Sequence, residues 1–574
     1  MLRGLGVSPG IEIGKAFMIS NSVVTYDHCC IKQENVSEEI ERLKAAFKTS
    51  EEQINMIIEK IDMEKETEKH QIFMAHLEII RDPVLTEKGE KNISNKFMSA
   101  EQATAEVINE FALMMEAMED PVFVERAADI RDIGNRVLKN LVGIPLDEDA
   151  PIHQTGIIIA DDLTPSMFAN LDRSKVLAIV TGTGGKTSHV AIMARCMGIP
   201  AVAGLGDNIR QIAQGDLVIV DGYKGHIIVN PGSGIKNQYL EKIQEKAAED
   251  RRLEAYKNTC AVTSCKLRRV EVSANIAFAE ECEEVLKNGA EGVGLYRTEF
   301  LYMDQKDWPD EETQFREYKK IISKMAPLPV IVRTLDIGGD KNLPYMGIPH
   351  EDNPFLGLRA IRLCFARPEM FLTQLRALLR ASVFGKMRIM FPMISSVEEV
   401  RKAKEFIREA KRQLEEKQQA YDDNIEIGIM VEIPSAAIAA DTLAQEVDFF
   451  SIGTNDLVQY TVACDRMNKE IASLYDYFNP AVLMLIKNVI EASHKYCKWT
   501  GMCGEMAGSL EAAAILVGLG LDEFSMSASA IPRFKEHLSK ISYSKAVRIT
   551  EKAFELATAG EIREMINEEA LAHE

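Results

Sequence analysis

His189 lies in the run Gly182-Thr-Gly-Gly-Lys-Thr-Ser-His-Val-Ala-Ile-Met-Ala-Arg195. The glycines at 182, 184 and 185 open backbone conformations closed to other residues. Thr187 and Ser188 are helix-capping types, and Val190 to Ala194 read as a helix lying on an apolar surface. Gly198 and Pro200 end it, as a left-handed cap followed by a proline should. His189 is therefore expected in the first turn of a helix, where unpaired backbone N–H groups attract phosphate. A lone imidazole in that place is more often a half-buried histidine that only satisfies its hydrogen bonds, so the rest of the chain must decide.

A second chemically capable set recurs between Val270 and Tyr543, each member just past a short apolar run. It comprises Arg297-Thr-Glu299, Arg333-Thr-Leu-Asp336, Arg359 and Arg362 after Asn353-Pro-Phe-Leu-Gly-Leu, Glu432, Gly453-Thr-Asn455-Asp456, Arg466, and Cys503-Gly-Glu505. Arginine forks take phosphate and carboxylate bidentately. Glu432 and Asp456 suit Mg²⁺, which accepts one or two carboxylates plus substrate phosphate and water. Cys503 stands among cations, where its proton is expected to be mobile. It can act as general acid to a carbon-centred anion, or be a small packed residue. Each arginine alone reads as a surface salt bridge; the weight lies in the shared topological position. The ligand so implied is small, anionic and phosphorylated, the reaction is phosphoryl transfer, and His189 in a separate domain is the acceptor.

The elements that position these residues follow from hydrophobic patterning. Strand candidates at 271–276, 292–296, 330–332, 387–391, 427–431, 449–452, 500–502 and 523–526 alternate with amphipathic helices. Eight such units predict a (β/α)₈ TIM-type barrel over 261–574, with chemistry at the strand C-termini; an open doubly wound sheet is the alternative. Apolar strands at 156–160, 176–180, 217–220 and 226–229 predict a small α/β domain around His189. The glycine-punctuated strands of residues 1–20 have no other apolar partner, so that domain is assigned 1–20 and 147–232. Between its halves, 21–146 is rich in Glu, Lys, Ala, Met and Leu. It reads as an inserted helical subdomain of about four helices, with Asp82-Pro83 and Asp120-Pro121 as turns. Glu66, Glu68 and Glu78 would gather around His76 as an acidic face, or simply be a solvated one. Residues 233–260 read as a helical linker. The fold class is thus multidomain α/β.

The 574-residue length fits several domains, and 46% hydrophobic content supplies their cores. A net charge of −21 argues against nucleic-acid or anionic-membrane binding and suits a basic protein partner. No secretory signal or membrane-length apolar run is visible. The ten cysteines form no CxxC pair and read as reduced thiols, so the expected location is cytoplasmic, without membrane insertion.

Five runs resemble one family closely: Gly-Gly-Lys-Thr-Ser-His189-Val-Ala-Ile-Met-Ala-Arg, Asp-Ile-Gly-Gly-Asp-Lys341, Asn-Pro-Phe-Leu-Gly-Leu-Arg359-Ala-Ile-Arg, Phe-Phe-Ser-Ile-Gly-Thr-Asn-Asp456-Leu and Gly-Met-Cys503-Gly-Glu. The family is enzyme I of the bacterial phosphotransferase system, the phosphoenolpyruvate–protein phosphotransferases, and the match covers essentially the whole chain. The resemblance implies that phosphoenolpyruvate binds the barrel with Mg²⁺. Glu432 and Asp456 would be the metal ligands. Arg297, Arg333 and Arg466 would hold phosphate and carboxylate with Asn455 beside them, and Arg359 matches a further arginine of the site. His189 would be phosphorylated at Nε2, and Cys503 would protonate the enolate to release pyruvate. The phosphoryl group would pass to a histidine of the carrier HPr, docked on the helical insertion, with the barrel forming a homodimer. Pyruvate phosphate dikinase and phosphoenolpyruvate synthase share this chemistry but carry a nucleotide-binding domain, and no Walker-type loop is seen here. A non-enzymatic HPr-binding regulator is the other alternative. With no added N-terminal sensory domain, the sugar-transport branch is expected.

Overall fold

The computed structural model describes all residues except 20–23, 25, 27–29, 61–66, 118–120, 145–154, 170, 172, 186–187, 265–267, 304–306, 340–342, 344, 346, 348–350, 467, 469 and 572–574. The side chains of 60, 67–69, 71, 121–125, 166, 169, 189, 196, 570 and 571 also lie outside the described set. The chain forms two compact units, Met1–Ala248 and Glu249–Glu574, and the division falls inside one helix, Ser233–Lys257.

The first unit carries an eight-stranded sheet. Its strands are β1 Leu2–Arg3, β2 Leu5–Ser8, β3 Ile11–Ile19, β4 Gly156–Ala160, β5 Val176–Thr181, β6 Ala201–Ala203, β7 Leu217–Asp221 and β8 His226–Val229, in the order β1-β8-β7-β3-β4-β5-β6-β2. Strand β3 lies between β7 and β4, so the N-terminal strands complete this sheet as the missing apolar partner required. The Ile157-Ile-Ile159 run is buried on both faces. Ile158 joins the core beneath the helix that His189 opens, whereas Ile157 and Ile159 face a second core with Val180, Val202 and Val220. Strand β6, three residues long, has no legible period and was not expected.

Between β3 and β4 the described residues form five helices, one more than expected: Val36–Lys60, Thr67–Ile80, Pro83–Lys96, Ala100–Glu116 and Pro121–Val142. Asp82-Pro83 is itself a helix start. Asp82 caps the Val84 N–H at 2.9 Å, and Pro83 occupies the first helical position, where a missing N–H costs nothing. The acidic face expected around His76 is corrected here. Its imidazole is fully buried, with Nε2 3.2 Å from Asp129 and Nδ1 3.9 Å from Asp132, while Glu78 is exposed. Phe73 and Leu77, both buried, place His76 on the inward side of its helix. Glu66 and the side chain of Glu68 lie outside the described residues.

The second unit is a closed parallel barrel. Its strands are β9 Glu271–Ile276, β10 Val293–Arg297, β11 Val330–Arg333, β12 Met387–Phe391, β13 Glu426–Val431, β14 Phe449–Ile452, β15 Trp499–Met502 and β16 Glu523–Met526, with β16 pairing back onto β9. All eight expected strands are present, and closure excludes the open sheet. The C-terminal helices pack on this barrel. Thr550 Oγ1 donates to the Ile515 carbonyl at 3.1 Å, and Gly518 lets the helices approach so closely that a Cβ there would fall 2.4 Å from the Ala546 carbonyl oxygen. Arg563 forks onto Asp476 at 2.5 and 3.0 Å. Among the described residues no helix is long and apolar enough to cross a membrane.

Candidate active site

The strand C-termini of the barrel open into a cavity of about 660 Å³. It is lined by Arg297, Arg333, Arg359, Glu432, Asn455, Asp456, Arg466 and Cys503, whereas Arg362, also singled out from sequence, is not in its lining and donates to the Leu356 carbonyl at 3.0 Å. Placement follows from topology, since parallel strands deliver their last residues to one rim. Arg297 ends β10 and is exposed, and Arg333 ends β11. Glu432 follows β13, Asn455 and Asp456 open the helix Thr454–Val462 after β14, and Cys503 follows β15.

The arginines are held by carboxylates, of which Glu299 and Asp336 were given no separate role from sequence. Arg333 donates to Glu299 at 2.7 Å and lies 2.9 Å from Asp336. Arg359 donates to both oxygens of Asp336 at 3.0 and 3.3 Å and to Asp456 at 3.2 Å. A further bond at 3.2 Å reaches the Tyr460 hydroxyl, which itself donates to the Phe355 carbonyl. Asp336 thus ties two guanidinium groups into one fixed array. Burial works against charge on Arg333, but Glu299, Asp336 and Glu432 outweigh it and raise its pKa. Arg359 is likewise raised, by Asp336, Asp456 and Glu432 against burial. Arg466, partly exposed, lies 3.7 Å from Asp456. Asn455 is oriented by Glu505, whose backbone N–H donates to its Oδ1 at 3.0 Å.

Glu432 is buried and accepts the Met393 N–H at 2.6 Å, from a residue held at φ 56°. Burial raises its pKa first, Asp456 and Asp336 next, with Arg333 and Arg359 opposing. Asp456 Oδ1 accepts no hydrogen bond among the described residues. No cluster of three or more His, Cys, Asp or Glu side chains arranged for a metal occurs among the described residues. Two mutually repelling carboxylates with an uncommitted oxygen nevertheless fit a hard cation that completes its shell with ligand phosphate and water.

Cys503 departs from its expected electrostatics. Burial pushes its thiol up to about 12, and the Ser451 hydrogen bond and Arg333 only partly offset this. The proton is held rather than mobile, which suits a neutral acid and not a thiolate. Ser451 donates to Sγ at 3.4 Å, and Asn275 donates to the Cys503 carbonyl at 3.1 Å. Both residues were missed from sequence. Their signal is inward register on β14 and β9.

In the first unit, His189 opens the helix His189–Met197, as its spacing predicts. Ser188 caps it, accepting the Ala191 N–H at 3.4 Å, and Gly198 ends it at φ 63°. Gly184, at φ 101°, turns the preceding loop, and a Cβ there would lie 3.0 Å from Ser188 Oγ. The side chain of His189 and residue Thr187 lie outside the described set.

Comparison with known proteins agrees with this architecture. Residues 250–543 match the family model described as PEP-utilising enzyme, PEP-binding domain; 3–126 match the N-terminal model and 152–225 the mobile domain of the same enzymes. The chain is therefore a PEP-utilising enzyme. The phosphoenolpyruvate-protein phosphotransferase of Listeria monocytogenes is 46% identical over 565 residues, covering 98% of each chain. That of Priestia megaterium is 48% identical over 541 residues, 94% of each, and that of Staphylococcus carnosus 44% over 567, covering 99% of this chain and 98% of its own. Within the PEP-utilising enzymes, the chain belongs to the phosphoenolpyruvate–protein phosphotransferase family.

Proposed function

We propose that this enzyme takes the phosphoryl group of phosphoenolpyruvate onto Nε2 of its own His189 and passes it to a histidine of HPr, releasing pyruvate in the first step of sugar uptake. The observation that carries the reading is the barrel cavity, where four arginines, a carboxylate pair, an amide and a neutral thiol converge. Arg297, Arg333 and Arg466 hold the substrate's phosphate and carboxylate, with Asn455 beside them. Arg359, fixed by Asp336 and Asp456, extends the positive array. Mg²⁺ bound by Glu432 and Asp456 would neutralise phosphate charge and orient the transferring group. As the P–O bond breaks, the arginines stabilise the enolate oxygen by charge. Cys503 gives its proton to the enolate carbon, and pyruvate leaves.

The division of labour assigns phosphoenolpyruvate binding and homodimer formation to 261–574. His189 is carried by 1–20 with 147–232, the carrier docks on 21–146, and 233–260 links the units. A histidine that both accepts and donates must meet two partners, so it belongs on a domain separate from the barrel. The net negative chain steers a basic carrier face. The location is cytoplasmic, where phosphoenolpyruvate is available. The test is a chase: protein phosphorylated with Mg²⁺ and phosphoenolpyruvate is isolated and mixed with HPr. Movement of the phosphate to a histidine of HPr is expected. Labelling of His189 that requires ATP or AMP would instead favour a dikinase or synthase.

A further inference from the structure

Below the cavity, the interior of the barrel holds an acid that the proposed mechanism does not use. Glu523 begins β16 and is 1% exposed. Neither of its carboxyl oxygens has a hydrogen-bond partner among the described residues. Ser273 and the Met502 amide are polar groups facing it, Glu271 adjoins it in register on β9, and Arg388 is the cation whose charge acts on it. Arg388 is itself engaged, 2.7 Å from Glu426 and over the Trp499 ring at 4.6 Å.

Two glycines make room for this carboxyl. A Cβ at Gly294 would lie 2.1 Å from Glu523 Oε1, and one at Gly501 would lie 2.2 Å from Oε2. Gly501 stands level with Glu523 on one side and with Ser451 on the other. Ser451, fully buried, donates to Cys503 Sγ. The chain thus places in sequence a buried acid, a gap where a side chain is missing, a hydroxyl and the thiol. Burial in that interior, and then Glu271, push Glu523 up to about 8, with Ser273 and Arg388 opposing.

We propose that Glu523 holds the proton that restores Cys503 after each turnover, passed through the Ser451 hydroxyl across the gap left by Gly501. This rests on the reading of Cys503 as the acid that protonates the enolate. When the thiol S–H bond breaks and the C–H bond of pyruvate forms, Cys503 is left as thiolate. Ser451 O–H gives its proton to Sγ and takes one back from a single water in the Gly501 gap, which the Glu523 carboxyl reprotonates as it becomes carboxylate. Water recharges Glu523 from the opposite face of the barrel, where Glu271 is partly exposed. Transfer runs downhill, from an acid near 8 to a thiolate whose conjugate acid is near 12. Restoration therefore does not depend on solvent entering the substrate side while that side is closed.

Rapid mixing of the full-length protein with Mg²⁺ and phosphoenolpyruvate separates the two stages. The first pyruvate uses the proton already on Cys503, whereas steady-state release with HPr needs it replaced. Glu523→Gln and, independently, Ser451→Ala are expected to slow steady state by about tenfold or more relative to the first turnover. The wild-type steady-state rate should fall as pH rises through about 8, because Glu523 is protonated below that value and empty above it; Glu523→Gln should lack this limb. Equal slowing of both stages, or none of either, would overturn the relay. Cys503→Ala in the same assay separates the two claims. An undiminished first turnover there would remove the acid and the relay together. Its loss, with Glu523→Gln at the wild-type steady-state rate, would remove the relay alone.

Discussion

Arg333→Met takes the guanidinium from two carboxylates at once, Glu299 at 2.7 Å and Asp336 at 2.9 Å. Glu299 is fully buried and Asp336 5% exposed, so solvent cannot replace the lost cation. Breaking a buried pair from one side costs about 3–5 kcal/mol. At about 2 °C per kcal/mol for a domain of this size, the barrel should melt about 6–10 °C earlier. Both tryptophans, Trp308 and Trp499, lie in the barrel unit, so tryptophan fluorescence during urea unfolding reports that unit alone. Adding Glu299→Gln should recover much of the stability but none of the activity, because the substrate still loses two charge-assisted bonds. At about 1.5–3 kcal/mol each, those bonds amount to about 10²–10⁴ in kcat/KM. No recovery of stability in the double variant would refute the ion-pair reasoning.

Cys503→Ala should cut pyruvate release by about 10²–10⁴ while phosphoenolpyruvate binding by calorimetry changes little; equal loss in both would assign Cys503 to packing. Glu432→Gln should raise the Mg²⁺ concentration needed for half-maximal rate by about tenfold or more, and an unchanged titration would remove Glu432 from the metal. His189→Ala should abolish phosphoryl acceptance and leave phosphoenolpyruvate binding intact; retained labelling would contradict its role.

Much of the barrel was legible because β-strand runs such as Val330–Arg333 and Phe449–Ile452 are short, largely apolar and lead directly into polar residues. The helix at His189 was legible because both ends carry local signals, Ser188 and Gly198. What sequence could not supply was pairing across the barrel. Glu299 and Asp336 stood in view beside their arginines, but only strand register shows that Asp336 joins Arg333 to Arg359. Cys503 looked electropositive because its cations were countable, while its burial was not, and burial decides its proton. His76 misled in the opposite way: acidic neighbours in sequence drew attention, although Phe73 and Leu77 marked the inward face. Glu523 gave no signal at all, since its role as an interior acid depends on glycines at 294 and 501 in other strands.

The central claim is transfer from the barrel to His189, and mass spectrometry tests it directly. The full-length protein is mixed with Mg²⁺ and phosphoenolpyruvate, and acid-labile phosphate is mapped on fragments under alkaline conditions. One phosphate on His189, formed in step with pyruvate, is the predicted result. Phosphate on another residue, or pyruvate released with no phosphorylated histidine, would contradict the account.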